Sequence, residues 1–351
     1  MRGERMKENF LKVLEAHTKR YPDMEPQDYG KLMFQSEFGA EHFAGEKEEV
    51  LSFLQREISE ISKKASPRSV ESIGGGLCRF PLSFLQEDYE VKLAADLFLL
   101  TAKKRRGTKE GLMEKLHRAS EIFGIGEWAA EWKKMGCPSV SHSDAYRRAY
   151  HPHYRLLQED YAGYFAVLSE IYRLMEQNKP VIVAIDGRCG SGKSHLAELI
   201  VQLLSCNVIH MDDFYLPLSD RQENWQEIPG GNMDFARFQR EILIPVREKR
   251  QAVYRPYSCG KGKITKEFPM PKRKLTVVEG SYSHHLSLAD PYDLKIFLTC
   301  SKEEQAKRLR VREGSYFEMF EKRWIPMEEN YFLSCGTKEG SDFVTDTEGF
   351  F

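Results

Sequence analysis

Residues Val181–Ile200 read VIVAIDGRCGSGKSHLAELI. An aliphatic run breaks into a glycine-rich turn that holds one lysine, and apolar residues then resume in HLAELIVQLL at helical spacing. The turn, Gly187-Arg188-Cys189-Gly190-Ser191-Gly192-Lys193-Ser194, fits G-x-x-x-x-G-K-[ST]. Each residue type answers a need of phosphate binding. Glycines let successive backbone N–H groups curl around phosphate oxygens, and a helix starting near Gly192 adds the positive end of its dipole. Lys193 is expected on the β- and γ-phosphates, and the Ser194 hydroxyl on Mg²⁺. Gly187, Gly190, Ser191, Gly192, Lys193, Ser194 and His195 are the expected nucleotide-binding set, for a nucleoside triphosphate.

The text on either side differs in pattern. Beyond Pro180, short β-rich runs (VIVAI, NVIH, LTVVEG, LKIFLTC) alternate with helical segments, which predicts a parallel sheet flanked by helices, of the P-loop NTPase type. Before about Asn178 the spacing is mostly helical. ENFLKVLEAHTKRY puts Phe10, Leu11, Leu14 and His17 on one face, and KEEVLSFLQREISEISKK does the same for Val50, Leu51, Leu54, Ile58 and Ile61. EVKLAADLFLLTAKKRR and Tyr161–Gln177 read as further helices, and SIGGGLCRFPLSF as a loop with a short extended piece. The expected division is a mostly α-helical accessory domain at 1–178 and an α/β P-loop domain at 179–351, parted where a helix stops before Pro180.

Composition narrows the partners. Lysine and arginine total 52 against 53 acidic residues, a net charge of -1, so no global field draws the chain to nucleic acid or anionic lipid. The basic run Lys103-Lys104-Arg105-Arg106 is the strongest local exception, and no known nucleic-acid module accompanies it. Seven scattered cysteines without a CxxC pair fit reduced thiols in a cytoplasm. No apolar stretch is long enough for a membrane span, and self-association into a homo-oligomer stays open.

Downstream residues narrow the chemistry. No N-K-x-D guanine signature follows the loop. HMDDFYLP follows the second apolar strand instead, so Asp212 and Asp213 are expected at the carboxyl ends of the strands, facing the ligand crevice. A carboxylate there can take a proton from an attacking hydroxyl or ligate Mg²⁺. SKEEQAKRLRVREG opens with the capping pattern Ser301-x-x-Glu304, and Arg308 and Arg312 share one helical face that could close over phosphates.

GRCGSGKS, MDDFY, GGNMDFARF, YRPYS, VVEGSY and LKIFLTCSKEEQAKRLRVRE, in this order, resemble the uridine kinase family. That family sits among the P-loop kinases with phosphoribulokinase and pantothenate kinase. The resemblance covers about residues 180–335. It implies that Asp212 is the catalytic aspartate and a metal contact, with Asp213 where the family has serine. It places Phe214 and Tyr215, together with Asp213, at the acceptor, and Asp234 on ribose hydroxyls, although the family's neighbouring histidine and proline are missing. Tyr254, Arg255 and Tyr257 fall in a β-hairpin over the acceptor, Glu279 helps organise Mg²⁺, and Arg308 and Arg312 contact the transferring phosphates. Phe317, Phe320, Trp324, Met327 and Tyr331 are expected to bury a closing helical segment, with Arg323 a phosphate contact or structural. The implied activity is transfer of the ATP γ-phosphoryl group to a hydroxyl of a nucleoside or ribose-like acceptor. Two alternatives stand: a kinase for a non-nucleoside metabolite of the pantothenate or sugar-acid type, and a nucleotide-binding regulator with little transfer.

In the first half, CPSVSHSDAYRRAYHPHYRLL (Cys137–Leu157) is the densest polar stretch, with Glu41, His42 and Arg79 elsewhere. Three readings compete. The stretch forms a pocket for a phosphorylated or sugar-like ligand, or a metal site using His151 and His153, or it packs a loop against helices.

Overall fold

A computed structural model describes residues 2–40, 45–61, 65–104, 107–288 and 292–350, with side chains from residue 10 onward. Glu41, His42, Arg105 and Arg106 lie outside the described residues. The chain forms two compact units, Met1–Ala162 and Gly163–Phe351.

The first unit sets helices α1 (Arg2–Arg20), α2 (Pro26–Phe38) and α3 (Lys47–Ser59) before a hairpin of β1 (Glu71–Gly74) and β2 (Leu77–Pro81). Helices α4 (Asp88–Lys104), α5 (Lys109–Phe123), α6 (Gly126–Lys134) and α7 (Asp144–Tyr150) follow, then β3 (Tyr154–Gln158). The strands make an antiparallel sheet in the order β1-β2-β3. The three glycines that read as a loop are the hairpin's turn. Gly75 and Gly76 have φ of 67° and 74° between the paired Gly74 and Leu77, and two positive φ values in a two-residue loop suit the right-handed twist of the strands. The unit is therefore α+β rather than purely helical. Leu14, Leu32, Leu54, Phe80, Leu97 and Trp132 fill its core. The amphipathic faces hold in part: Phe10, Leu14 and His17 of α1 and Val50 and Leu54 of α3 are buried, while Leu11, Leu51, Ile58 and Ile61 are half-buried.

The predicted helix over Tyr161–Gln177 is broken. A short α8 (Glu159–Gly163) ends and α9 (Phe165–Glu176) begins after Tyr164. Helix α9 packs on strand β4 (Val181–Gly187), and the Lys274 ammonium donates to the Met175 carbonyl, so α9 belongs to the second unit. The compact unit thus starts upstream of the 178–180 boundary expected from sequence. This has a measurable consequence. Residues 163–351 expressed alone should unfold in one cooperative transition. Residues 180–351 lack α9, whose Leu168, Ile171 and Leu174 are buried. Burial of two or three such side chains is worth about 5 kcal/mol, enough to lower the melting temperature by many degrees or leave the fragment insoluble. Equal melting of the two fragments would mean that α9 is not part of this unit.

After β4 come α10 (Lys193–Leu203), β5 (Cys206–His210), the short helices α11 (Phe235–Phe238) and α12 (Ile244–Arg247), and four two-residue strands β6 (Val253–Tyr254), β7 (Tyr257–Ser258), β8 (Lys263–Ile264) and β9 (Phe268–Pro269). The chain ends with β10 (Leu275–Glu279), β11 (Leu294–Thr299), α13 (Lys302–Glu313), α14 (Phe317–Met319), α15 (Ile325–Cys335) and β12 (Phe343–Asp346). Five strands form one sheet in the order β12-β11-β4-β10-β5, with every pairing parallel. All residues of β4 and β10 are buried, as expected for strands covered on both faces, and their Val, Ile and Leu content follows from that. The chain leaves β4 for one side of the sheet and later crosses to the other. The switch point therefore lies at β4, where a ligand crevice opens beyond the carboxyl ends. Gly187, His210 and Glu279 stand at those ends. This half has the fold predicted for it, a parallel sheet of the P-loop NTPase type flanked by helices.

Candidate active site

The loop from Gly187 to Ser194 curls between β4 and α10. Gly187 has φ 132°, and a Cβ there would sit 2.0 Å from the Leu298 carbonyl oxygen of the neighbouring strand, so no other residue fits. Gly192 caps α10 at φ 95°. The Lys193 ammonium donates to the carbonyls of Gly187 (2.6 Å) and Arg188 (3.0 Å), which folds the side chain over the loop it serves. A crevice of about 570 Å³ opens in front. Gly190, Gly192, Lys193, Ser194, His195, Asp212, Tyr215, Glu279, Arg308 and Arg312 line it, and with Cys189 and Glu328 at its ends, sequence elements up to 139 positions apart converge on one space.

Glu279 is the hub of its floor. One carboxylate oxygen accepts from the Ser194 hydroxyl at 3.2 Å, and the other meets His210 Nδ1 at 2.5 Å. Burial pushes the Glu279 carboxyl up, but His210, Lys193 and Ser194 together hold it below the usual carboxylate value. The same contact, led by the hydrogen bond from Glu279, raises His210 against the effect of burial. Asp212 lies across the crevice. It is open to solvent but ringed by protein, and this crowding pushes its carboxyl above the usual value despite the Tyr215 hydroxyl bond (2.7 Å) and the Lys193 charge.

These oxygens can be tested against Mg²⁺. Among the described residues no cluster of three or more His, Cys, Asp or Glu forms a self-sufficient metal cage. Mg²⁺ does not require one, because it usually takes one or two carboxylates, keeps waters and uses substrate phosphates. The Ser194 hydroxyl bonded to the ionised Glu279, with Asp212 on the same crevice, is a hard oxygen donor set that fits this cation.

Several expected contacts are placed differently. Phe214 is fully buried, edge-on to Phe238 and beneath the Arg237 guanidinium (4.4 Å), so it belongs to the core and not to a pocket wall. The strand ends in a 3-10 turn that rotates Phe214 inward while Asp212 and Tyr215 face the crevice. Asp213 bonds the Tyr254 hydroxyl, Asp234 caps α11 by accepting from Arg237 N (3.0 Å), and Arg255 pairs with Glu241. Tyr254 and Tyr257 do sit on the expected hairpin, whose nested antiparallel ladders pair β6 with β9 and β7 with β8. None of Asp213, Asp234, Tyr254, Arg255 and Tyr257 lines the P-loop crevice itself. Arg237, unmarked in the sequence, joins them: it donates to the carbonyls of Asp213 (2.8 Å) and Arg255 (2.9 Å).

Arg308 is also revised. It lines the crevice, but its guanidinium is tied to Glu304 (3.0 Å), the Gly190 carbonyl (3.1 Å) and Thr347 (hydroxyl 3.0 Å, carbonyl 2.7 Å). It acts as a clamp that fixes the glycine loop rather than a free lid. The predicted capping box is half made: Ser301 accepts from Glu304 N, while the Glu304 carboxylate turns to Arg308 and Lys307. Arg312 is more than half exposed, pairs with Glu313 and lies over Phe320. Of the closing segment, Met327 and Tyr331 are buried, whereas Phe320 and Trp324 line the crevice, and Arg323 lies between Trp225 and Trp324 (4.9 and 5.0 Å). Arg308→Ala should therefore loosen the loop and raise the KM for ATP about tenfold, the effect of losing charge-assisted bonds. A loss confined to kcat would instead restore Arg308 as a contact made only in transfer.

Sequence reading missed four supports of the loop. Glu328 of α15 accepts from Cys189 N (3.0 Å) and Ser281. The Thr347 hydroxyl donates to the Ser191 carbonyl (2.9 Å), and Gln305 donates to the Cys189 carbonyl (3.0 Å). The buried Asp186 holds Gly187 N, His284 N and the Tyr331 hydroxyl.

The polar stretch of the first unit is largely absorbed by internal pairing. Asp28 takes His142 Nδ1 (2.9 Å) and Ser143, Tyr150 bonds Asp23, and Glu57 takes both His153 and Arg155. His151 closes α7 with a positive φ of 45°, apart from His153's partner, and the two make no metal site among the described residues.

No family model and no curated protein matches the chain. Solved structures do, over about half of it, with the N-terminal half unmatched. One, described as a possible uridine kinase from Bacillus stearothermophilus, is 18% identical, covers 52% of this chain and 96% of its own, and has a TM-score of 0.42. Another, described as a fructose transport system kinase from Silicibacter sp. TM1040, is 20% identical, covers 48% and 90%, and has a TM-score of 0.39. No helix among the described residues is long and apolar enough to cross a membrane.

Proposed function

We propose that the chain is an ATP- and Mg²⁺-dependent kinase that transfers the γ-phosphoryl group to a hydroxyl of a small nucleoside or ribose-like acceptor. The observation that carries this reading is the convergence of Lys193, the Ser194–Glu279 pair and Asp212 on one crevice beside the glycine loop. Mg²⁺ would supply charge neutralisation between the phosphates, held by Ser194 and Glu279 with Asp212. Lys193 carries a positive charge to the phosphates. Asp212 faces the crevice as an oxygen base for the acceptor hydroxyl, and its raised proton affinity suits that task. Tyr215, bonded to Asp212, orients it. Phe320 and Trp324 offer flat apolar surface on the same crevice, which favours an acceptor with a ring.

The full chain with ATP and Mg²⁺ should release ADP in an acceptor-dependent way when offered uridine, cytidine, adenosine and ribose, and not with pantothenate or a sugar acid. Release with the latter alone would move the acceptor class. A regulatory reading has one observation in its favour. Glu328 already occupies the Cys189 N–H on the loop, so a carboxylate sits where anion donors are wanted. ATP binding without ADP release for any acceptor would select that reading.

A further inference from the structure

The first unit encloses a cavity of about 590 Å³ that the kinase reading does not use. Helices α2, α3 and α4 and strand β3 supply its apolar wall through Phe34, Val50, Phe53, Phe98 and Leu156. The polar lining includes Lys31, Gln35, His142 and Tyr154, with Glu49, Glu57 and Arg155 also on the cavity.

Most of that polar wall is internally satisfied. His142 gives Nδ1 to Asp28, which leaves Nε2 to accept from the Tyr154 hydroxyl at 2.8 Å, and Gln35 Nε2 donates to the same hydroxyl at 3.1 Å. Asp28 is fully committed, since it also accepts from the Ser143 amide and hydroxyl and from Glu25 N. Lys31 is the exception. Its ammonium has one hydrogen bond among the described residues, to the Val140 carbonyl at 3.3 Å, and no carboxylate pairs with it. A second cation lies behind the wall. Arg79 is 2% exposed, stacks on the Tyr154 ring at 4.7 Å, and donates to the Tyr146 hydroxyl and the Gln35 side-chain Oε1. Its Nε has no partner, and no carboxylate pairs with it among the described residues. Arg155 at the other end of the cavity is neutralised by Glu57 at 2.7 Å. Asp28 and Glu71 act on Lys31 and Arg79 through space without pairing directly with either, so the Lys31 ammonium stands on the apolar cavity with no carboxylate bonded to it among the described residues. Burial and the Arg79 charge, with Arg147 and against the pull of Asp28, bring Lys31 down to about 8, as expected for an ammonium lacking its anion.

We infer that this cavity is a second ligand site, for a small molecule with an apolar, preferably aromatic, body and a single anionic group that pairs with Lys31. The walls suit neither a sugar, which needs many hydrogen-bond partners, nor a triphosphate, whose charge one ammonium cannot match. The phosphorylated or sugar-like ligand considered from sequence is replaced by a carboxylate- or sulfonate-type amphiphile.

Two fluorescent probes differing only in the anion test this on the full chain: 1-anilinonaphthalene-8-sulfonate and uncharged N-phenyl-1-naphthylamine. Both should bind saturably, and ATP should displace neither. Lys31→Met should weaken the sulfonate tenfold to about a hundredfold, the worth of a charge-assisted bond, and leave the uncharged probe unchanged. Val50→Trp should exclude both. Wild-type sulfonate affinity should also fall from pH 7 to 9 as Lys31 loses its proton. The groups facing Lys31 do not titrate there: Asp28 is held low, His142 is depressed to about 3 by burial, Tyr154 and Tyr146 are pushed up by burial, and the arginines stay charged. The inference is overturned if Lys31→Met binds the sulfonate as tightly as wild type, if it loses both probes equally, if ATP displaces them, or if neither binds. Should Lys31→Met fail to fold, a wild-type sulfonate affinity that is constant between pH 7 and 9 overturns it instead.

Discussion

Lys193→Ala should reduce the rate of phosphoryl transfer about a thousandfold, the scale seen when a preorganised charge or donor is removed from a reacting centre. The fold should survive the change. Lys193 buries little, and its hydrogen bonds go to two carbonyls of its own loop, so truncation leaves no buried charge without a partner. Water can reach those carbonyls, since Lys193 stands on the crevice. The melting temperature should therefore move by a degree or two while turnover collapses. Lys193→Arg should rescue poorly, because a planar fork cannot replace a compact ammonium in a glycine loop closed on Gly187 and Arg188. A variant that keeps the wild-type rate would show that the loop holds something other than the transferred phosphates.

The parts of this site that could be read from sequence are those in which a local pattern has a single physical use. The glycine loop is one: the positive φ at Gly187 and Gly192, the preceding buried strand and the following helix are all consecutive in the chain. Asp212 was found because it follows an apolar run, and strand ends in a parallel sheet face the ligand, whereas Glu279 was found only through the resemblance to uridine kinases. The loop's supports had no such signal. Thr347 reaches Ser191 across 156 positions and Glu328 reaches Cys189 across 139. A threonine before a glutamate, or a glutamate inside a helix, carries no mark of its distant partner. Arg237 was missed for the same reason, and its cation over Phe214 is what identifies that ring as core. Arg308 was misjudged because spacing gives a helical face but not what stands opposite, here Gly190 and Thr347. In the first unit, cis-facing charges in Cys137–Leu157 looked like a ligand set, yet their carboxylate partners Asp23, Asp28 and Glu57 come from earlier segments. Lys31, in an unremarkable helix, turned out to have no carboxylate bonded to it among the described residues.

Asp212→Asn should lower kcat by about a hundredfold to ten-thousandfold, the range for loss of a positioned base, with the KM for ATP changed only a few-fold. The amide keeps the size of the side chain and can still meet the Tyr215 hydroxyl, so the crevice should keep its form. It cannot accept a proton from the acceptor, and it removes one negative charge from the wall opposite Glu279. Asp213→Asn is the discriminating comparison. Asp213 is held by Tyr254 and lies off the crevice, where its loss should disturb the small ladder of β6 and β9 more than the chemistry. Its kcat should stay within about tenfold of wild type, and its main effect should fall on the acceptor KM. Should Asp213→Asn abolish transfer while Asp212→Asn turns over normally, the side chain now bonded to Tyr254 is the base. The turn Met211–Phe214 must then rotate during the reaction, breaking the Asp213–Tyr254 bond and drawing Tyr215 off Asp212, so that the two carboxylates exchange places at the mouth of the crevice.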